Sequence, residues 1–272
     1  MTVSDTLSPA ATRYADPGLT LAATTPVIEQ QLRHRSVRAF LPEPVTDDEL
    51  TAIVAAASSA PTSSNLQAWS VVAVTDPERK ARLATLAAGQ RFIDTAPLLL
   101  VWVADLDRHH RLAERHGRPL GATAYLESTL LGVIDTALAA QNALVALESL
   151  GLGAVFVGAV RNRPAEVAAE LGLPQHTVAA FGLAVGHPDP DEDADVKPRL
   201  PQSAVLHRER YDAAAADAEL DTYDARLAAY NQAHGLAGAW SERVLARLAG
   251  PESLVGRDRL REILTERDLP SR

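Results

Sequence analysis

Two hydrophobic rhythms run through the chain from residue 26 onward, one of three to four residues and one of two or fewer. Together they predict helices interleaved with strands. Val27, Ile28 and Leu32 follow Pro26, which suits the first turn of a helix that delivers the chain into His34. Thr46 followed by Glu49 is a capping-box pattern, and Leu50, Ile53, Val54 and Ala57 continue it at helical spacing. A strand is predicted at 69–75, then a helix opened by Asp76 and Pro77 that carries Leu83 and Leu86 and ends near Gly89. Residues 97–104 are continuously apolar, as a strand buried on both faces requires. The helical signal at 126–150 is the longest in the chain and stops at Gly151. Strands at 154–160 and 177–186 flank a short helix that starts at Arg163-Pro164 and runs to Leu171. Helical periods return at 213–233, 240–248 and 258–264.

Three regions follow from this pattern. Residues 1–25 are rich in Ser, Thr, Ala and Pro without a sustained period and are expected to form a mobile or surface-wrapped leader. Residues 26–211 form the main domain, and 212–272 a helical extension that wraps it or a second subunit. The 126–150 helix is long enough to span a bilayer, but it carries Glu127, Asp135, Gln141, Asn142 and Glu148. Ionised groups in such a span cost roughly 2.5–3.5 kcal/mol each, so a helix buried by its own domain or by a partner is expected.

Composition narrows the function classes. The chain has 272 residues, 47% of them hydrophobic, with 35 acidic against 26 basic residues and a formal charge of −9. That balance argues against a nucleic-acid or anionic-membrane binder, so clusters of cations need a local explanation. The absence of cysteine excludes disulfides, thiolate metal sites and cysteine nucleophiles. The first residues lack a basic start followed by an apolar run, and a cytoplasmic location is the expectation.

Two cation clusters stand out. His34-Arg35-Ser36-Val37-Arg38 packs an imidazole, two guanidiniums and a hydroxyl into five residues, and guanidinium forks suit phosphate oxygens. Lys197-Pro198-Arg199-Leu200-Pro201 presents two more cations from a proline-stiffened segment. Alone, either cluster could equally be a solvated basic face or loop. The loop 58–67, with Thr62, Ser63, Ser64, Asn65 and Gln67, offers short donors and acceptors to a polar ligand, or is a plain linker. Gly158, predicted inside a strand, would permit close approach of a flat ligand or mark a bulge. Asp105, Asp107, His109, His110 and His116 match no closed metal-site spacing, and no metal is expected. The glycines at 151 and 153 follow a helix and precede a strand, the reverse of a dinucleotide-binding turn. There is no G-x-S-x-G turn and no Walker loop. What remains suits a bound cofactor better than side-chain chemistry.

Taken in order, H-R-S-V-R at 34–38, T-S-S-N-L-Q at 62–67, G-Q at 89–90, L-L-G-V-I-D-T-A-L-A-A-Q-N-A-L at 130–144, E-S-L-G-L-G-A-V-F-V-G at 148–158 and K-P-R-L-P at 197–201 resemble the nitroreductase superfamily, specifically its oxygen-insensitive NADPH-dependent nitroreductases and NADPH:FMN oxidoreductases. The similarity starts at about residue 27 and weakens after Tyr211. The resemblance implies an α+β homodimer with a central mixed β-sheet flanked by helices, the long helix at the subunit interface, and FMN as cofactor. It places His34, Arg35, Ser36, Arg38, Lys197 and Arg199 at the phosphate and ribityl end of FMN. Thr62, Ser63 and Gln67 match the family's serine-rich loop, Gln90 a glutamine near the flavin ring, and Phe156, Val157, Gly158 and Ala159 the strand beside it. The implied activity is two-step hydride exchange through flavin N5, from NADPH or NADH to a nitroaromatic or quinone, without a catalytic acid or base. Free flavin passed to a partner enzyme is the alternative acceptor, and a nucleotide-binding or flavin-sequestering protein without turnover is a third reading. Arg38 is implied as a nicotinamide-nucleotide contact. His234, before Gly235, stands where relatives often carry an arginine for the NADPH 2′-phosphate, which leaves the choice between NADPH and NADH open. Asn65 and Trp69 also replace residues common in relatives, and residues 1–25 have no counterpart.

Overall fold

The computed structural model describes residues 7–269 and 271–272. In chain order the helices and strands are α1 (Pro9–Tyr14), α2 (Pro26–Arg33), α3 (Asp47–Ser58), β1 (Trp69–Val74), α4 (Pro77–Leu86), α5 (Arg91–Thr95), β2 (Leu98–Asp105), α6 (Asp107–His116), α7 (Leu126–Ser149), β3 (Gly153–Val157), α8 (Pro164–Leu171) and β4 (Thr177–Gly186). They continue with α9 (Gln202–Val205), α10 (Ala213–Asp217), α11 (Leu220–Ala233), α12 (Trp240–Arg247) and α13 (Leu260–Glu266). The chain divides into two compact units. Met1–Arg35 with Asp193–Ser253 form the first, and Ser36–Glu192 with Leu254–Arg272 the second. The boundary therefore falls inside the His34–Arg38 cluster, and the C-terminal stretch expected as one extension is shared between the units.

The second unit is built on one sheet of order β1-β2-β4-β3, with every neighbouring pair antiparallel. The expected mixed character enters through a single parallel bridge, Ser36 to Ala154 on β3. All eight residues of β2 are buried, which is why its sequence reads as one apolar run. Strand alternation sends Leu98, Leu100 and Trp102 to one face, against Ile53 and Ala57 of α3 and Ala139, Ala143 and Leu147 of α7. Leu99 and Val101 go to the other, against Leu83 of α4, Ile93 of α5 and Val167 of α8. Each fully buried leucine in these layers contributes roughly 1.5–3 kcal/mol by leaving water. The capping box is formed: Thr46 Oγ1 accepts from the Glu49 N–H at 3.2 Å, and Glu49 Oε2 from the Thr46 N–H at 2.8 Å. Gly153 has a packing role, because a Cβ there would lie 2.7 Å from Val37 Cγ2 and 2.9 Å from Pro188 Cγ. Its bare backbone lets the 36–38 segment lie along β3, where the Val37 N–H donates to the Ala154 carbonyl at 3.0 Å. The strand expected at 154–160 ends early. Beyond Val157, the last residue paired with β4, residues 158–162 wind into a 3-10 turn, so Gly158 lies just past the strand and not inside it.

The first unit is helical. Helix α11 turns Tyr223, Leu227 and Asn231 inward at i, i+4 and i+8. Its Asp224 accepts from the main-chain N–H of Ser241 at 2.9 Å and so caps α12, while Trp240 packs edge-on against Tyr223 at 5.6 Å. The period read as one helix over 213–233 breaks after Asp217. Within the segment expected as a leader, α1 is capped by Ser8, whose Oγ accepts from the Ala11 N–H at 3.1 Å. Arg226 of α11 ties down the end of α1, donating to the Tyr14 carbonyl at 3.2 Å and pairing with Asp16 at 3.1 Å.

Candidate functional site

In the first unit, the two cation-bearing segments meet on one buried guanidinium. Arg13 of α1 is only 5% exposed. Its Nε donates to the Leu32 carbonyl at 3.1 Å, one Nη to the Lys197 carbonyl at 2.7 Å, and the other to the His34 carbonyl. The Arg13 carbonyl in turn accepts from the Arg199 N–H at 3.1 Å. Arg35 adds a second tie, from its Nη1 to the Ala194 carbonyl at 3.1 Å. Phenols hold the rest of the segment: Tyr230 donates to the Asp195 carbonyl at 3.1 Å and Tyr223 to the Pro198 carbonyl at 3.2 Å. Burial pushes the Tyr223 phenol up from its ordinary value, in the direction that favours the protonated donor. The Lys197 ammonium lies 5.6 Å from the Tyr230 ring centroid, and exposed Arg199 curls back to the Lys197 and Pro198 carbonyls at 3.0 and 3.3 Å. His34, Arg35, Lys197 and Arg199 are thus carried by backbone segments fixed to one another.

His234, at the C-terminal end of α11, stacks at a tilt on Tyr230. Its Nδ1 is 3.1 Å from Asp193 and its Nε2 4.0 Å from Asp195. Both ring nitrogens therefore face carboxylates.

In the second unit, the 62–67 loop is held from two sides. Asp135 of α7 is 1% exposed. Its two oxygens accept from the Ser63 N–H at 3.0 Å and the Ala68 N–H at 3.1 Å, one at each end of the loop. From α6, Arg108 donates to the Gln67 carbonyl at 3.2 Å, and His109 Nε2 lies 2.8 Å from the Leu66 carbonyl. Thr62 Oγ1 closes the loop on itself by accepting from the Gln67 N–H at 3.0 Å. Within it Ser64, Asn65 and Gln67 all have positive φ, at 48°, 55° and 52°. Three left-handed residues without glycine cost on the order of 1 kcal/mol each and persist only where neighbours over-determine them.

The remaining predicted positions also lie in the second unit. Ser36 makes the bridge to Ala154, and exposed Arg38 gives its main-chain N–H to Glu192 Oε1 at 2.8 Å. Gln90 opens α5, just after the left-handed pair Ala88 and Gly89. Phe156 is the one exposed residue of β3 and packs edge-on against Phe181 at 5.3 Å. Val157 points into the core and can offer a ligand only its main chain. At Gly158 the close neighbour is Arg161, whose Nη2 would lie 3.3 Å from a Cβ. Sequence reasoning missed Arg13, Asp135, Arg108 and His109 as organising residues. Asp135 stood inside a quoted motif, and its lone acidic position on the inner face of an apolar helix was the available signal. Of the histidine patch, His109 braces the loop, and among the described residues no three His, Asp or Glu side chains gather into a metal-binding group.

Comparison with known sequences places this arrangement. Residues 32–187 match the nitroreductase family, and 197–272 match its C-terminal domain. The chain belongs to the nitroreductase family. Among its relatives, the NADPH-flavin oxidoreductase of Vibrio harveyi is 38% identical over 226 residues, covering 82% of this chain and 91% of that protein. The oxygen-insensitive NADPH nitroreductase of Salmonella typhimurium is 40% identical over 223 residues, covering 81% and 90%. The solved structure of the Vibrio harveyi NADPH:FMN oxidoreductase complexed with NAD+ superposes on this nitroreductase-family chain with a TM-score of 0.77 at 35% identity, covering 90% and 99%. Two guanidiniums, an ammonium and an imidazole stand on segments of the first unit that are tied together, and donors of that chemistry suit a phosphate such as that of FMN.

Proposed function

We propose that this chain is an FMN-dependent NAD(P)H oxidoreductase that reduces nitroaromatics, quinones or both. The observation that carries the reading is the pinning of His34, Arg35, Lys197 and Arg199 into one cationic set, on a chain whose relatives bear the names above. FMN, when bound, supplies the chemistry: hydride uptake from NAD(P)H at ring N5 and two-electron delivery to the acceptor in a second half-reaction. The chain's residues bind and orient. His34, Arg35, Lys197 and Arg199 take the phosphate. Ser36, Arg38, Thr62, Ser63 and Gln67 serve the ribityl and ring edge, with Gln90, Phe156, the Val157 main chain, Gly158 and Ala159 beside the ring. No side chain acts as nucleophile. His234 lies between Asp193 and Asp195, which makes it a poor receptor for the extra phosphate of the nucleotide donor. NADH is therefore used about as readily as NADPH.

The functional unit is a homodimer. Helix α7 is long and apolar enough to cross a membrane. Its inner face is built into the second unit, while Leu126, Leu130, Ile134 and Leu138 form an exposed apolar stripe at i, i+4 spacing. A second copy covers this stripe, in the cytoplasm. Sedimentation at micromolar concentration should give the mass of two chains, and Ile134→Glu should give one; a wild-type monomer removes the dimer.

A second reading is supported by relatives named for flavin reduction, including the Bacillus subtilis FMN reductase (NADPH), 39% identical over 226 residues. In it the acceptor is free flavin, and kcat/KM values for free FMN, a nitrofuran and a quinone separate the two. The test of the shared core is the visible spectrum of the purified protein without oxygen. Flavin bands should be present, or be acquired on adding FMN, and bleach with both NADPH and NADH; a protein that neither holds FMN nor oxidises either donor overturns the reading.

A further inference from the structure

Arg13 lies outside both stretches that match the family, 32–187 and 197–272, yet it is the group on which the two cation segments of the first unit converge. A guanidinium almost entirely removed from water needs its donors satisfied, and here three of them end on main-chain carbonyls from two distant parts of the chain. The planar fork fixes those carbonyls relative to one another. Because the Lys197 and His34 carbonyls turn toward Arg13, the side chains these segments carry are set from a common base. The Arg13 carbonyl bound to the Arg199 N–H extends the same lock to the third cation. The tie of α1 to Arg226 through Tyr14 and Asp16 holds the pin itself in place.

We propose that Arg13 is a positioning residue for phosphate recognition: it presets Arg35, Lys197 and Arg199 before the anion arrives, so that less ordering is left to the binding step. The proposal rests on the assignment of those cations to the FMN phosphate. It differs from a plain structural staple, which would loosen the protein without regard to which flavin is offered.

The two roles separate by comparing FMN with riboflavin, which has the same ring and ribityl chain but no phosphate. Both ligands are titrated into the deflavinated full-length protein, following quenching of flavin fluorescence, for wild type, Arg13→Met and Arg13→Lys. Wild type should bind FMN more tightly than riboflavin. Arg13→Met should weaken FMN by about 10- to 100-fold while riboflavin changes less than about threefold. Arg13→Lys keeps the charge but lacks the planar fork that fixes the carbonyls relative to one another, and should give the same split at about 3- to 10-fold; if the methionine variant does not fold, this variant decides. Equal weakening of both ligands, or of neither, overturns the proposal. A wild type that does not discriminate between the flavins overturns the phosphate assignment itself, and with it the purpose of the pin, before any variant is measured.

Discussion

The 62–67 loop in the second unit and the 195–199 segment in the first solve one problem with opposite chemistry. Each is an irregular stretch that must hold a fixed shape, and each is organised by a single buried charge that addresses the main chain. Asp135 can only accept, so it gathers N–H groups, those of Ser63 and Ala68. Arg13 can only donate, so it gathers carbonyls, those of Leu32, His34 and Lys197. The sign of the buried charge thus decides which backbone groups turn inward. Around the loop, α6 completes the set by taking the Leu66 and Gln67 carbonyls, and three residues are held left-handed. Along 195–199 two phenols and Arg13 take the Asp195, Lys197 and Pro198 carbonyls while Lys197 stays half-buried and Arg199 exposed. A charge stabilised by backbone dipoles needs no opposite side chain to balance it, and it fixes the chain more tightly than a surface ion pair does.

The largest expected effect follows from breaking the acceptor side. Asp135→Ala leaves two N–H groups, one fully buried and one partly, without their acceptor, at a cost of about 2–4 kcal/mol in total. Denaturant midpoints should fall accordingly with the slope unchanged, and the left-handed residues of the loop should relax. On the proposed assignment of this loop to the ribityl and ring end of the ligand, Asp135→Ala should weaken FMN and riboflavin alike, the reverse of the split expected at Arg13. Unchanged stability in Asp135→Ala would mean that the loop is held by α6 alone and would end the parallel between the two charges.

The legibility of the two regions differs for a physical reason. Strand β2 and helices α3 and α7 were readable because their burial follows a period: Leu98, Leu100 and Trp102 against Leu99 and Val101 on β2, and a capping box at Thr46 and Glu49. The candidate segments were readable as composition, through clustered cations and hydroxyls, although their shape was not. That shape depends on contacts between residues far apart in sequence, such as 13 with 197 and 63 with 135, which no local pattern encodes. Arg13 was hidden further by its surroundings, since a stretch of Ser, Ala and Pro without periodicity gives no sign that one arginine in it is buried. Gly158 shows the opposite error: an apolar stretch read as strand runs past the point where β3 loses its partner at Gly182.

The smallest expected effect separates the two regions by pH. The pins of the 195–199 segment are a guanidinium and two phenols, with no imidazole among them. The loop is braced by α6, where His110 stacks on His176 with centroids 3.6 Å apart, its Nε2 buried without a hydrogen-bond partner among the described residues. Burial lowers the His110 pKa below its ordinary 6.5, and the neighbouring His176 adds to the shift, against smaller opposing contributions from Asp107 and Glu114. The folded state therefore prefers the neutral ring, and the unfolded chain takes up the proton first. Stability from this group is complete above about pH 6.5 and declines as the pH falls from there through the lower folded value. Melting temperatures measured from pH 7.5 to 5 should drop on acidification, and His110→Phe, which keeps the stacked ring but cannot be protonated, should flatten that drop without changing the value at pH 7.5 by much. A drop of equal size in the phenylalanine variant would place the acid sensitivity elsewhere, and the two braces would then not be distinguished by protons at all.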